Sequence, residues 1–206
     1  MGEQIIYLVD DDPSYLEANA RMLKLSGYEV RCFSSARDLL QSLPEQASGC
    51  IVTDLRMPHM DGLAFQQALR NKNCLLPVIF LTAYGDIPTT VTAMRQGAQD
   101  FLTKDASRDL LLSAIEQALE KYRSTRQKQT RLMCFKQDLQ TLTPREYQVL
   151  ERVVQGNINK KIAAELGIHE RTVKLHRSSG IKKLAVSSVQ ELSILWTQAQ
   201  DQAITD

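Results

Sequence analysis

Through the first half of the chain, short apolar runs alternate with longer amphipathic stretches. The runs lie near residues 4–10, 29–33, 49–54, 77–83 and 100–104, and the stretches between them suit helices. Five strands alternating with helices predict an α/β fold, a doubly wound five-stranded parallel sheet covered on both faces. The punctuation agrees: Ser26-Gly27 closes the first helix, Pro44 ends the second, Pro77 precedes the fourth strand and Gly97 closes the fourth helix. Right-handed crossovers then collect functional side chains at one edge, where the strands end.

From about Ser107 the periodicity turns helical, with Leu110, Leu111, Ala114, Ile115, Ala118 and Leu119 as the apolar stripe. Residues 121–131 contain neither Gly nor Pro, so the fifth helix is expected to continue through a helical linker over 121–140, after a first domain over 1–120. A small all-α domain is expected over 141–206. It opens on Thr143-Pro144-Arg145-Glu146, where the Thr hydroxyl caps the helix, Pro fits its first position and Glu146 bonds back to the cap. That helix should end near Gln155-Gly156, a second cover about 159–166, Gly167 make the turn, and a third span about 170–184. Two helices joined by a short Gly-containing turn form the helix-turn-helix pattern. A last helix carries Leu192, Leu195 and Trp196 on one face, as core or as a dimer surface. His169 stands at an N-cap position without a good capping side chain. Gly180 lies within the third helix, where Gly costs about 1 kcal/mol relative to Ala, so fraying is expected there.

With 43% hydrophobic residues over 206 positions, the chain has enough apolar content for one large or two modest globular domains. No apolar run approaches the roughly 20 residues needed to span a bilayer. The start Met1-Gly2-Glu3-Gln4 has no basic leader, and a cytoplasmic location is expected. Cys32, Cys50, Cys74 and Cys134 show no metal or redox spacing, and Cys32 and Cys50 are expected to be buried thiols in strands. His59, His169 and His176 are likewise scattered, which argues against a zinc site. The net charge of +1 conceals an asymmetry. Residues 1–120 carry 10 basic and 16 acidic side chains, residues 121–140 carry 6 and 1, and residues 141–206 carry 9 and 7. Only the later part suits a polyanion.

The run Ile5-Ile6-Tyr7-Leu8-Val9 ends in Asp10-Asp11-Asp12, and Gly49-Cys50-Ile51-Val52-Thr53 ends in Asp54. Carboxylates gathered this closely repel unless a divalent cation is bound or one group stays protonated. An oxygen-only set suits Mg²⁺: Asp10, Asp11, Asp54 and the backbone carbonyl of Arg56 are the candidate metal ligands, with Mg²⁺ as cofactor. Asp54 is the candidate nucleophile for phosphoryl transfer. Thr82 ends the fourth run and offers a hydroxyl to a phosphoryl oxygen, while Lys104 ends the fifth and offers a positive charge. In the third C-terminal helix, Arg171, Thr172, Lys174, Arg177, Lys182 and Lys183 stand around a face opposite Val173, Ile181 and Leu184. Such a helix suits the major groove of DNA. A competing reading takes Asp10 and Asp12 as the DxD pair of a phosphohydrolase. It leaves Asp54 and the helix-turn-helix unexplained.

These strand-end residues, with Asp54-Leu55-Arg56-Met57-Pro58-His59-Met60-Asp61-Gly62, resemble the receiver domain of two-component response regulators, a flavodoxin- or CheY-like fold. The C-terminal part resembles the LuxR-type helix-turn-helix, so the chain is similar to the FixJ/NarL class. The resemblance implies a transcriptional regulator rather than an enzyme, in which Asp54 accepts phosphate from a sensor histidine kinase. It implies that Thr82 and Phe101 form a switch pair and that phosphorylation promotes a homodimer on double-stranded promoter DNA, with RNA polymerase a further candidate partner. It places Lys174, Leu175 and Ser178 at base edges, and Thr172, Arg177 and Lys182 on phosphates. One position departs: receivers typically have Pro, in a cis peptide, after the strand-five Lys, whereas here Lys104 precedes Asp105. Either the turn is trans and Lys104 is re-aimed, or other contacts hold it, and phosphorylation is expected to be less stabilising or shorter-lived than in family members with Pro. The alternative implied by this departure is an atypical receiver acting as a phosphate-independent DNA-binding regulator.

Overall fold

A computed structural model describes residues 4–83 and 87–201, so Met1, Gly2 and Glu3 of the N-terminal reading lie outside the described residues. The chain separates into two compact units, Met1–Arg126 and Gln127–Asp206. Strands β1 (Ile5–Val9), β2 (Glu29–Phe33), β3 (Gly49–Thr53), β4 (Val78–Thr82) and β5 (Asp100–Thr103) alternate with helices α1 (Pro13–Leu25), α2 (Ala36–Ser42), α3 (Gly62–Asn71) and α4 (Ile87–Arg95). The sheet is parallel throughout, in the order β2-β1-β3-β4-β5. The doubly wound architecture expected from the periodicity is therefore the observed one.

Strands β3 and β4 are buried along their whole length, which is why they read as unbroken apolar runs. Side chains alternate across the sheet: Ile6, Leu8, Val52 and Ile79 face a core closed by α1 and α5 (Arg108–Leu139), while Tyr7, Val9, Ile51 and Phe80 face one closed by α2 and α3. Strand β2 is an edge, and only Val30 in it is buried. This corrects the reading of Cys32, which is exposed because it lies on that edge; Cys50, in central β3, is buried as expected. Among the described residues no helix is long and apolar enough to cross a membrane.

Helix α5 is continuous for 32 residues. Within the first unit its Leu111, Ala114, Ile115 and Ala118 pack on the sheet, and Tyr122 donates its hydroxyl to the Ala47 carbonyl at 2.8 Å. The later part of the same helix supplies Phe135, fully buried, to the core of the second unit together with Leu150, Val173, Leu184, Leu192 and Trp196.

The second unit continues with α6 (Pro144–Val154), α7 (Asn159–Leu166), α8 (Glu170–Lys183) and α9 (Val189–Asp201). The capping box at Thr143 and Glu146 is formed in both directions, and α7 ends at Gly167 in the left-handed conformation. Leu192, Leu195 and Trp196 of α9 are core residues, with the Trp196 ring 4.9 Å from that of Tyr147. Arg131 donates to the Leu184 and Ala185 carbonyls and to Glu191, tying α5 to the turn between α8 and α9. His169 caps α8 without a side-chain bond, as read from its sequence. Gly180 carries a different meaning from the one its helix propensity suggested. Helix α8 runs unbroken through it, and a β-carbon there would lie 2.7 Å from Cδ1 of Leu150 on α6. The glycine allows two helices to approach closely.

Candidate functional site

Register builds the first site. Val9 and Thr53 are paired across β1 and β3, so the next residues, Asp10 and Asp54, leave the sheet side by side. The Asp54 amide still donates to the Val9 carbonyl at 2.9 Å. Asp10 and Asp54 are buried and Asp11 is exposed, and each offers an oxygen within 4.8 Å of those of the other two. From the far side Thr82 and Thr103 pair across β4 and β5, and the Lys104 amide donates to the Thr82 carbonyl at 2.8 Å. That bond fixes the root of the Lys104 side chain at the same sheet edge. Its Nζ lies 2.6 Å from Oδ2 of Asp10 and 2.9 Å from Oδ2 of Asp54.

The two oxygens of Asp54 have different environments. Oδ1 accepts the backbone N–H of Leu55 at 2.6 Å and of Arg56 at 3.3 Å, whereas Oδ2 pairs with Lys104. The loop supplying those amides is pressed against α3 at Gly62, whose N–H donates to Leu55 at 2.8 Å. A β-carbon at Gly62 would lie 2.6 Å from Cε1 of Phe80 and 2.9 Å from the Asp54 carbonyl, so this position admits only Gly without displacing the loop. Burial pushes the Asp10 carboxyl above the usual carboxylate range, against the Lys104 and Asp12 hydrogen bonds that favour its charge; neighbouring Asp54 adds to the rise. Burial works against the Lys104 ammonium too, but its hydrogen bonds to Asp10 and Asp54 outweigh burial and hold its pKa above the ordinary lysine value.

Not every residue named from sequence joins this cluster. Thr82 is buried at the end of β4, next to it. Phe101 is half-buried one layer below, its ring centroid 5.9 Å from that of Phe80. Every peptide bond in the described residues is trans, Lys104–Asp105 included, and Lys104 reaches both acids all the same. One neighbour had no signal in the sequence: Nζ of Lys104 lies 4.4 Å from the ring centroid of Tyr15, on α1.

The second candidate surface is α8. Lys174, Leu175, Ser178 and Lys182 are exposed, while Thr172 and Arg177 are half-buried. Arg177 donates to Oδ1 of Asn159 at 3.2 Å, so the first turn of α7 sets its direction, a role for Asn159 that sequence reasoning missed. Lys183, counted with the basic face, is exposed, but its ammonium is engaged by α6. Its Nζ lies 2.7 Å from Oε2 of Glu146 and donates to the Thr141 carbonyl at 3.3 Å. Glu146 is buried and also accepts the Ser179 hydroxyl at 2.6 Å. The Lys183 and Ser179 hydrogen bonds, the former the stronger influence, hold its carboxyl down at about 2.

Known proteins share both halves of this arrangement. Residues 6–116 match the family described as the response regulator receiver domain, and residues 140–196 match the luxR family of bacterial regulatory proteins. The response regulator protein TmoT of Ectopseudomonas mendocina is 43% identical over 92% of this chain and 86% of its own. The transcriptional regulatory protein FixJ of Bradyrhizobium diazoefficiens is 33% identical over 91% of each. Among solved structures, the response regulator StyR superimposes with a TM-score of 0.78 at 40% identity, covering 96% of this chain and all of its own. Full-length FixJ from B. japonicum gives 0.59 at 32% identity, over 97% of this chain and 98% of its own.

Proposed function

The chain belongs to the response regulators that join a receiver to a LuxR-type DNA-binding domain, a family of two-component transcription regulators rather than enzymes, and on that basis we propose that Asp54 is its phosphoacceptor. The observation that carries this reading is Lys104, whose ammonium spans Asp10 and Asp54 at 2.6 and 2.9 Å at the mouth of the acidic cluster. With Oδ1 of Asp54 tied to two backbone amides, Oδ2 is the oxygen left to a movable partner and is the nucleophile. It attacks the phosphorus of a phosphohistidine on the sensor kinase; the O–P bond forms as the N–P bond breaks, and the imidazole keeps the electron pair. Lys104 then transfers its hydrogen bond from the carboxylate to a phosphoryl oxygen, and Thr82 offers its hydroxyl to another.

The donors present suit a hard cation: three carboxylates with oxygens within 4.8 Å of one another, and no sulfur or imidazole among them. Asp10, Asp11 and Asp54, with the Arg56 carbonyl, would hold Mg²⁺, which when bound neutralises charge on the transferring phosphoryl group. Thr82 moving towards the phosphoryl group, with Phe101 turning further inward, shifts the population towards a form that dimerises. Dimerisation brings two α8 helices to adjacent half-sites, where Lys174, Leu175 and Ser178 read base edges and Thr172, Arg177 and Lys182 hold phosphates. RNA polymerase is a further candidate partner of that complex.

The test is Asp54→Asn given acetyl phosphate and Mg²⁺, followed by sedimentation and promoter footprinting. The parent should dimerise and protect its site while the variant stays monomeric. A variant that pairs and protects like the parent overturns this reading in favour of a phosphate-independent regulator.

A further inference from the structure

Lys104 is held by three groups, of which only the two carboxylates follow from the strand-end pattern. The third is Tyr15. Asp12 caps α1 by accepting the amides of Ser14 at 2.9 Å and Tyr15 at 3.2 Å, and its own amide donates to Oδ1 of Asp10 at 3.0 Å. The first turn of α1 is therefore locked to the acidic cluster. Tyr15, half-buried against the sheet core, presents its ring 4.4 Å from Nζ of Lys104. A closed circuit results, running from Asp10 through Asp12 and Tyr15 to Lys104 and back to Asp10.

We propose that Tyr15 is a positioning residue for Lys104, its ring face keeping the ammonium aimed at the phosphoryl site while the Asp10 and Asp54 carboxylates are engaged elsewhere. The inference rests on Asp54 being the phosphoacceptor. An ammonium over an aromatic face is attracted by the ring quadrupole, and the attraction grows as water is excluded. It also persists when the carboxylates are given over to a cation or to phosphate, at the stage when a lysine on a flexible four-carbon stem would otherwise lose its direction. The attraction needs the ring and not the hydroxyl, so Phe should replace Tyr and an aliphatic side chain of similar size should not.

The experiment compares the full chain with Tyr15→Phe and Tyr15→Leu, with Tyr15→Gln as a second non-aromatic variant should Leu not fold. The first readout is the ¹H shift of the Lys104 ε-methylene without phosphate analogue, which the ring beside it displaces upfield, Nζ itself lying 4.4 Å from the ring centroid. The second is the affinity for beryllofluoride in the presence of Mg²⁺. Tyr15→Phe should keep both properties. The non-aromatic variants should lose the upfield shift and bind beryllofluoride about fivefold more weakly. Parental affinity in the non-aromatic variants, or weakening by Tyr15→Phe to the same extent, overturns the proposal. A parent protein that takes up no beryllofluoride would instead remove the phosphoacceptor reading on which it stands.

Discussion

Glu146 and Lys183 meet at 2.7 Å between α6 and α8, and the carboxylate of that pair is buried. One residue thus closes the capping box of α6 through the Thr143 amide and fastens α8, the proposed DNA-reading helix, by accepting from Ser179 and Lys183. A partly desolvated carboxylate with three donors stabilises the fold only while it is ionised.

The sign of its pH dependence follows. The folded pKa of Glu146 lies below the ordinary glutamate value, at about 2. Its contribution is complete above about pH 4.5 and is lost as pH falls through about 2. Urea unfolding of the parent and Glu146→Gln should differ by about 2 kcal/mol at neutral pH. The gap should close between those two pH values; a constant gap would show that ionisation is not involved.

Lys182 and Lys183 are neighbours in sequence with opposite assignments. Lys182→Gln should leave the melting temperature unchanged and reduce the salt dependence of promoter binding by about one unit of slope. Lys183→Gln should lower the melting temperature and leave that slope unchanged. Fluorescence titrations at several salt concentrations separate the two, and an exchange of phenotypes would refute the assignment.

Substituting Ala for a helical Gly ordinarily stabilises by about 1 kcal/mol. At Gly180 a β-carbon would meet Cδ1 of Leu150 at 2.7 Å and its Cγ at 3.2 Å, and Leu150 is fully buried among core side chains that hold it in place, so Gly180→Ala should destabilise by about 1–3 kcal/mol. Most of that loss should vanish in a Leu150→Ala background, where room has been made, and additivity of the two changes in a double-mutant cycle would contradict the close-approach reading.

Lys104 reaches both acids across a trans bond to Asp105, and Asp105 itself is exposed, where water and salt screen its charge. Asp105→Pro should therefore change the lifetime of the phosphorylated protein by no more than about twofold, roughly 0.4 kcal/mol in barrier. A tenfold longer lifetime, followed by radiolabel release, would instead support the sequence-based expectation that this turn shortens it.

The acidic cluster was legible because strand ends are. Alternating apolar runs fix where β1, β3, β4 and β5 stop, parallel winding brings those stops to one edge, and Asp10, Asp54, Thr82 and Lys104 occupy them. What depends on the approach of one helix to another left no mark in the periodicity. Glu146 reads as a capping residue, Gly180 as a weak point and Lys183 as a surface cation until α6 and α8 are seen in contact. Tyr15 reads as one more half-apolar position of α1 until its ring is found beside Lys104. Cys32 was misjudged for a related reason: an apolar run does not disclose whether its strand is central or at the border.

Phe135, fully buried, and Arg131, bonded to two carbonyls of the turn before α9, come from the last turns of α5. A C-terminal fragment cut at residue 141, where sequence places the start of the DNA-binding domain, would leave a hole the size of an aromatic ring in its interior and an unclamped turn. Severing the chain near Gln127 instead would carry the plug along. Anyone excising the DNA reader for crystallisation or binding work should begin there.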